Sequence, residues 1–363
     1  MMRRERFAAI GGCDPGFFYG LEDVDLCLRL REHGPVVLAG QAVLIHHEGS
    51  TVSRMDRSVV RAKRLANRRH FAAAWAPRLS RSVREDVLEG RGFWSGGRER
   101  TVAITLTADA ESEGRGDYYT AHGLGGALAA AGWKVLYAER RDRRWYELPD
   151  DVDLVISLLD RYDVRKAPKG AFTIAWVRNW IDRWLAHPWF DEFDLVVVSS
   201  EKGAELIAEK AGVRPPVLPL AVDPAVFHPG PADPTLSADF VFTGNRWGVE
   251  RKLISLLDVR PDERFLLFGK NWDREPAVSS WWQGHVSQDV LADVYRSTKI
   301  VLDDTVMPRE QGLVNARVFE ALASGALVIS DNVEGSRELF DGQLPTYRDR
   351  AGLRKQLDHF LAD

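Results

Sequence analysis

The sequence has few cysteines, no long apolar run and no large excess of charge of one sign. Its 363 residues include two cysteines, Cys13 and Cys27, which cannot build a disulfide framework and lie in no CxxC or histidine-rich context. Charged residues interrupt every apolar stretch before it reaches the length of a membrane span, and the opening MMRRERFAAIGG lacks the apolar core of a signal peptide. We therefore predict a cytoplasmic protein with reduced thiols.

The charge of the chain is nearly balanced, with 49 Lys and Arg residues against 53 Asp and Glu and a formal net charge of −4 at pH 7. Such a chain has no general attraction for nucleic acid, so we predict no nucleic-acid partner. The composition, 45% hydrophobic and 28% charged, is typical of globular proteins, and the length is sufficient for two or three domains.

Residues 1–95 differ from the rest of the chain in their sequence pattern. They contain a turn-like GGCDPGFF, an amphipathic EDVDLCLRLREHG, a short apolar strand AVLIHHEGS and a basic helical run SVVRAKRLANRRHFAAAW. The arginines of that run could contact phosphates, but we expect a solvated helix face. The Gly- and Arg-rich RGFWSGGRER that follows is predicted to be a linker.

From residue 101, predicted strands alternate with helices. The strands are TVAITLTA, KVLYAE, DVDLVISLL, AFTIAWV, DLVVVSS and PPVLPL, and the helices are YYTAHGLGGALAAAGW and EKGAELIAEKAG. This alternation predicts a parallel, doubly wound sheet with right-handed crossovers. The proline-rich segment 219–234 is predicted to be a hinge between domains.

A second series of strands follows the hinge: ADFVFTGN, FLLFGK, KIVLDD and ALVISD, with helices near DVLADVYRS and NARVFEALASG. We therefore predict an α/β protein with two Rossmann-like domains, 101–220 and 236–363, preceded by a small α+β segment, 1–95. A cleft between the carboxyl ends of the two sheets is the expected ligand site.

The loop and helix QGLVNARVFEALA carry the strongest chemical signal. Gly312 would allow a ligand to approach the backbone, and the N–H groups of Leu313, Val314 and Asn315 at the helix start would bind an anion such as a pyrophosphate. One turn further on, Glu320 could accept hydrogen bonds from ribose hydroxyls. The alternative is that Glu320 only caps the helix or pairs with Arg317.

A second cluster, TGNRWGVERK, follows the predicted strand DFVF. Gly244 and Asn245 form a turn at the strand end, while Arg246, Arg251 and Lys252 offer cations suited to phosphate oxygens. In a transfer reaction such cations would stabilise a leaving nucleoside diphosphate without a metal. A plain surface charge cluster is the rival explanation.

These motifs resemble the nucleotide-binding domain of family-4-like GT-B glycosyltransferases, the "glycosyl transferases group 1", in particular the branch with spore-maturation-like proteins. The matching stretches are 243–246, 284–303 and 312–331, and the resemblance covers roughly 101–363. It implies a GT-B fold and hexosyl transfer from a UDP-, GDP- or dTDP-sugar to a glycan, glycoconjugate or lipid-linked acceptor in polysaccharide assembly. It also implies retention of configuration, no cofactor and no metal, and it is compatible with peripheral membrane association.

The resemblance implies particular donor contacts. In the family, two glutamates separated by seven residues flank the donor: Glu320 matches the second, whereas the first falls on Gly312, with Glu310 nearby as a substitute. The resemblance also places His285 and Val286 at the base and Lys270 in the donor pocket.

The stretch EGRGDYYTAHGLGGAL resembles the first loop and helix of these enzymes, so Gly116, Asp117 and Tyr118 would face the donor phosphates or the acceptor. His122 is a plausible base near neutral pH, although a structural role is the more frequent one for a histidine in such a helix. The candidate catalytic residues are Asp117, His122 and Glu320. Candidate acceptor contacts after the strand AFTIAWV are Arg178, Asn179 and Asp182.

Residues 7–50 resemble the end of a family-2, GT-A-type glycosyltransferase, in which an acidic pair supplies the base and a later histidine assists the metal. The corresponding residues are Glu22 and Asp23, with His46 or His47. The family's upstream nucleotide-binding strands do not occur in this sequence, so we expect a vestigial segment in a truncated or bifunctional protein, without metal binding.

Two other functions compete with sugar transfer. One is a GT-B-like nucleotide-sugar epimerase, which needs a carboxylate and histidine acid/base set that cannot be assembled from the sequence. The other is a catalytically inactive nucleotide-binding module or scaffold.

Overall fold

The computed structural model describes residues 2–18, 20–37, 55–88, 99–111, 114–246, 248, 250–307 and 311–362. The chain divides into two units, Met1–Gly97 with Ala211–Val213 and Arg98–Lys210 with Arg214–Asp363. None of the described helices combines the length and the apolar character of a membrane span.

The first unit contains three helices, Arg4–Ala9 (α1), Glu22–Arg31 (α2) and Arg57–Leu88 (α3). Trp75 of α3 is buried and donates its indole N–H to the buried Asp25 of α2 at 2.9 Å, and Asp25 also pairs with Arg29 at 2.7 Å. The predicted amphipathic and basic helices are therefore confirmed. The predicted strand AVLIHHEGS lies outside the described residues.

The second unit begins with a five-stranded parallel sheet in the order β2-β1-β3-β4-β5. Its strands are Arg100–Leu106 (β1), Trp133–Glu139 (β2), Leu154–Ser157 (β3), Phe172–Val177 (β4) and Leu195–Val198 (β5). The accompanying helices are Gly116–Ala130 (α4), Ile181–Ala186 (α5) and Glu201–Ala211 (α6). Residues 100–210 are called the first α/β half below.

A four-stranded parallel sheet follows, in the order β7-β6-β8-β9. Its strands are Ala238–Thr243 (β6), Phe265–Phe268 (β7), Thr298–Asp303 (β8) and Leu327–Ser330 (β9). The helices are Lys252–Leu256 (α7), Gln288–Arg296 (α8), Ala316–Ala323 (α9), Val333–Phe340 (α10) and Arg350–Leu361 (α11). Residues 238–361 are called the second α/β half.

Burial explains why the strands are continuous apolar runs. In β6, Val241 packs into the core on one face of the sheet, whereas Phe240 and Phe242 pack into the core on the other. A parallel sheet covered by helices on both faces requires this pattern. The two predicted doubly wound sheets are thus confirmed.

One predicted strand is wrong. PPVLPL forms only a single bridge, between Val217 and Val198, because Pro215, Pro216 and Pro219 have no N–H to donate to a ladder. The segment 219–234, predicted to be a hinge, contains turns and bends but no helix or strand. It joins the two α/β halves.

Candidate functional site

A cavity of about 940 Å³ lies between the carboxyl ends of the two sheets and is lined by both α/β halves and by the connecting segment. Nine of the predicted site residues line it: Gly116, His122, Gly244, Asn245, Arg251, His285, Val286, Asn315 and Glu320. The predicted position of the site, at the strand ends that face the cleft, is the one that parallel α/β sheets favour.

Two arginines converge on the backbone where β6 ends. A Cβ atom added at Gly244 would lie 2.8 Å from Nη2 of Arg317 and 3.0 Å from Nη2 of Arg251. Both guanidinium groups also lie over the ring of Phe242, at 4.6 and 5.0 Å from its centroid. Glycine at 244 therefore leaves room for two cations at the cavity wall, and both arginines line the cavity.

Two buried carboxylates at the end of β8 hold these arginines. Asp303 pairs with Arg317 at 2.6 Å, and Asp304 pairs with Arg251 at 2.6 Å. Asp303 also accepts a hydrogen bond from the side-chain amide of Asn315 at 2.8 Å. Because Asp303 and Asp304 are only 1% and 3% exposed, they support the cavity wall from behind.

Burial and charge act against each other in this cluster. Burial lowers the pKa of Arg251, and Asp304 opposes that effect. Burial raises the pKa of Asp304, which Arg251 and Arg317 oppose. Burial also disfavours the charge of Arg317, but the carboxylate of Asp303 and other nearby groups outweigh burial and raise the pKa of Arg317. Among the described residues, Nε of Arg251 is buried and has no hydrogen-bond acceptor, whereas its Nη2 pairs with Asp304.

The amino end of α9 opens into the same cavity. Asn315, the residue before the helix, makes no side-chain capping bond, and its amide nitrogen donates to Asp303 and to the Asp304 carbonyl at 2.9 Å. Asn315, Ala316 and Arg317 line the cavity. The first N–H groups of a helix have no intrahelical acceptor, so this turn can bind an anion.

Two of the residues predicted to bind an anion, Leu313 and Val314, lie outside the cavity lining. Leu313 and Val314 are 1% and 5% exposed and are not among the residues that line the cavity. Their side chains join the core, and the Leu313 carbonyl accepts a hydrogen bond from Asn332 at 2.9 Å. Gly312 lies against Ser200 and Lys202 of the first α/β half, so it serves packing between the halves.

Glu320 lines the cavity one turn beyond the anion site. Burial raises its pKa to about 7, while Arg317 and the Tyr295 hydroxyl act to lower it. The described residues show no ion pair between Glu320 and Arg317, whose guanidinium donates to Asp303 and to the Thr243 carbonyl. The Glu320 carboxylate is therefore placed to meet a ligand.

Three predicted cations in the second α/β half do not line the cavity. Arg246 pairs with Glu275 at 2.9 Å, and Lys252 is exposed at the start of α7. Lys270 lies beside Gly114 of the first α/β half. The cluster TGNRWGVERK thus supplies the cavity with Arg251 rather than with Arg246 or Lys252, since Arg251 alone of these three is held against Phe242.

Asn245 connects the two α/β halves at the cavity rim. Its side-chain amide donates to the Gly114 carbonyl at 2.7 Å, and its oxygen accepts from the Lys270 N–H at 2.8 Å. His285 also lies against Gly114, and burial followed by the charge of Lys270 lowers the pKa of His285. A neutral imidazole therefore borders this end of the cavity.

The first α/β half contributes α4 to the cavity. Gly116 and His122 line it, whereas Asp117 and Tyr118 do not. The Asp117 carboxylate accepts a hydrogen bond from the Thr107 N–H at the end of β1, which is a structural role. The Nε2 atom of His122 lies 2.7 Å from a carboxylate oxygen of Asp109, and its ring packs against those of Tyr118 and Tyr137.

The predicted acceptor contacts Arg178, Asn179 and Asp182 do not line the cavity. Arg178 is 8% exposed and donates to the Thr120 hydroxyl at 3.0 Å. Asp182 pairs with Lys210 at 2.6 Å, and Asn179 is partly buried. Arg178 therefore contacts α4 at Thr120 rather than the cavity.

Sequence reasoning missed several site residues: Tyr119, Arg317, Asp303 and Asp304. The two aspartates follow directly after the buried strand KIVL, a position from which carboxylates commonly enter a site. Arg317 could have been found from its place in the first turn of the helix that starts after Asn315. Nothing in the local pattern distinguishes Tyr119 from Tyr118.

The vestigial GT-A residues lie in the first unit or outside the described residues. Glu22 begins α2, and Asp23 accepts a hydrogen bond from the N–H of Val24 at 2.8 Å. His46, His47 and also Glu310 lie outside the described residues. The roles assigned to these residues stay predictions.

Parts of this chain resemble known proteins. Residues 244–363 match a family model described as "Glycosyl transferase-like". The chain is similar in structure to sucrose-phosphate synthase from Thermosynechococcus elongatus, with 16% identity, a TM-score of 0.53 and coverage of 73% of this chain and 90% of that one. It is also similar to an α-glucosyltransferase in complex with UDP and a 13-mer DNA, with 10% identity, a TM-score of 0.50 and coverage of 73% and 91%. No curated protein matches the sequence significantly. The likeness in structure confirms the predicted GT-B fold.

Proposed function

We propose that the protein is a glycosyltransferase that moves a hexosyl group from a nucleotide-diphosphate sugar to a glycan, glycoconjugate or lipid-linked acceptor. The observation that carries this proposal is the juxtaposition, in one cavity, of the amino end of α9, the guanidinium groups of Arg251 and Arg317, and the carboxylate of Glu320. The match of residues 244–363 to a glycosyl transferase-like family supports it.

Each of these groups suits one part of a nucleotide sugar. The helix amino end and the two arginines suit the diphosphate, because N–H donors and guanidinium groups bind phosphate oxygens. Glu320 is one turn further along α9 and suits the ribose hydroxyls, which would donate to an ionised carboxylate. His285 and Val286 border the part of the cavity that would take the base.

The same groups would lower the barrier to transfer. As the bond between the sugar and the diphosphate breaks, negative charge grows on the leaving phosphate. Cations and N–H groups that are already positioned stabilise this charge without reorganising, and such stabilisation often contributes more to catalysis than any other effect. We propose that Arg251, Arg317 and the α9 amino end act in this way, without a metal.

The acceptor would enter from the side of α4. His122 is the group on that wall suited to accept a proton from an acceptor hydroxyl, and Asp109, at 2.7 Å from its Nε2, would orient the ring. Retention of configuration at the transferred sugar is part of the proposal and rests on the family resemblance alone.

Calorimetry with UDP, GDP and dTDP, followed by incubation with a radiolabelled sugar donor, tests the proposal. UDP comes first because the α-glucosyltransferase of similar fold was solved with it. We expect one diphosphate to bind and label to pass to an acceptor, with anomeric configuration read by NMR. Binding followed by epimerised free donor would indicate an epimerase, binding without any reaction a scaffold, and the absence of all binding would refute the proposal.

A further inference from the structure

Tyr119 is a polar residue of α4 that has no role in the transfer reaction proposed above. It lines the cavity from α4, and its hydroxyl makes no hydrogen bond to any described residue. Burial raises the pKa of Tyr119 to about 12, and the charges of Glu111 and Glu320 add to the rise. The phenol therefore stays protonated at neutral pH and can donate a hydrogen bond. Glu320 lines the same cavity from α9, in the other α/β half.

The turn that carries Tyr119 is held by a short chain of hydrogen bonds. Arg178 donates to the Thr120 hydroxyl at 3.0 Å and to the Leu158 carbonyl at 3.4 Å, and Thr120 in turn donates to the Gly116 carbonyl at 3.1 Å. Arg178 is buried, which lowers its pKa, and the charge of Asp117 opposes this effect. A buried charge is costly unless hydrogen bonds compensate for its lost hydration, and the bonds to Thr120 and Leu158 provide that compensation while they fix the turn.

We propose that Tyr119 and Glu320 bracket the ribose of the donor from opposite α/β halves, and that the donor is a ribonucleoside rather than a deoxyribonucleoside diphosphate sugar. This inference rests on the proposed function and narrows it. An ionised carboxylate only accepts hydrogen bonds, and its two oxygens suit the two neighbouring ribose hydroxyls. A hydroxyl both donates and accepts, so the 2′-hydroxyl can donate to Glu320 while it accepts from Tyr119.

A donor with a 2′-deoxyribose in its nucleoside would lack the 2′-hydroxyl, and both Tyr119 and Glu320 would lose this hydrogen-bond partner. A site built to hydrogen-bond a hydroxyl rejects the analogue that lacks it, because buried polar groups are then left unpaired. The dTDP-sugars would accordingly be poor donors. Tyr119 is thus a specificity-determining residue, with Thr120 and Arg178 as the positioning residues behind it.

Calorimetry on the full chain tests the inference by binding alone. The nucleoside diphosphate that binds best is compared with its 2′-deoxy counterpart, for the unmodified protein and for Tyr119→Phe. We expect the unmodified protein to prefer the ribonucleotide by about tenfold or more, as for a hydrogen bond to a charged group. Tyr119→Phe should weaken ribonucleotide binding by about fivefold, as for a neutral hydrogen bond, and leave 2′-deoxy binding nearly unchanged.

The control is Tyr162→Phe. Tyr162 is a buried tyrosine of the same half that does not line the cavity and whose hydroxyl has no described partner. The Tyr162→Phe variant should keep the full preference for the ribonucleotide over its 2′-deoxy counterpart. Equal binding of both nucleotides to the unmodified protein, or an unchanged preference in Tyr119→Phe, would overturn the inference while leaving the glycosyltransferase proposal intact. Failure of the unmodified protein to bind any nucleotide would instead count against that proposal.

Discussion

The two α/β halves contribute differently to the same cavity. The second half brings charge to the surface of the site, with Arg251 and Arg317 at the wall and the carboxylates of Asp303 and Asp304 behind them. The first half keeps its charged Arg178 inside the fold and presents mainly neutral or small groups. From this difference we predict that anion binding depends on the second half, whereas the first half determines the shape of the cavity and offers neutral hydrogen-bonding groups.

The largest expected effect is a loss of stability when one of the buried carboxylates behind the cavity wall, Asp303, is neutralised. Asp303→Asn removes the negative partner of the buried Arg317, with which Asp303 pairs at 2.6 Å. Removing one partner of a buried ion pair typically costs about 3–5 kcal/mol, so we expect a loss of that order in the free energy of unfolding. Urea denaturation followed by circular dichroism measures it.

The control for Asp303→Asn is Asp293→Asn, which removes a pair with Arg296 in which Asp293 is 49% exposed. Partly exposed pairs contribute about 0–1 kcal/mol, so this variant should be close to the unmodified protein. Equal losses in the two variants would show that Asp303 does not support the site through a buried pair.

The next largest effect is on nucleotide binding, and it should differ between two arginines of one loop, Arg251 and Arg246. Arg251→Met should weaken nucleoside diphosphate binding by about 1.5–3 kcal/mol, the range for a hydrogen bond to a charged group. Arg246→Met should have little effect, because Arg246 pairs with Glu275 and does not line the cavity. Calorimetry on both variants, after thermal melting has verified their folding, measures the difference. A larger loss for Arg246 than for Arg251 would mean that the phosphates lie elsewhere.

A pH dependence should follow from Glu320. Burial raises its pKa from 4.5 to about 7 in the empty site. Ribose hydroxyls donate to the ionised form, so ligand binding competes with the proton. Nucleotide affinity should therefore rise as the pH increases from 6 to 8, by up to about tenfold, and level off above that. Calorimetry across this range measures it.

Glu320→Gln provides the matched comparison for the pH dependence. It keeps the size of the side chain but removes the titrating group, so the affinity should change less with pH. The second ionisation of the nucleotide phosphate contributes equally to both proteins, and the difference between the two profiles isolates Glu320. Identical profiles would remove Glu320 from the ribose site.

The fold of the second unit and the approximate place of the site were predictable from local patterns. The alternation of apolar strands and helices predicts two parallel sheets, and a loop such as TGNR after a strand predicts a site at the strand end. The supporting carboxylates were not predictable in this way. Asp303 meets Arg317 because β8 lies between β6 and β9, and the strand order is a property of the whole sheet rather than of a segment.

Side-chain direction explains the remaining differences. Arg246 and Arg251 belong to one loop, yet only Arg251 lies over Phe242 and lines the cavity. Arg178 follows a strand, as a ligand-contacting residue would, but it is buried and donates to Thr120 of α4. Both outcomes depend on packing between elements that are distant in sequence, which periodicity and residue type do not report.

The smallest expected effect is that of Asp117→Asn, which tests whether a charged residue of the first half stabilises the fold rather than binds a ligand. The Asp117 carboxylate accepts a hydrogen bond from the Thr107 N–H where β1 ends, and Asp117 does not line the cavity. Asp117→Asn keeps an acceptor there, so the free energy of unfolding should fall by only about 1 kcal/mol. Nucleotide affinity, measured by calorimetry on the folded variant, should stay within about twofold of the unmodified protein, as expected for a contact that is not made. A tenfold loss of affinity with unchanged stability would reverse the contrast between the halves, because it would place a ligand-binding charge on the first half.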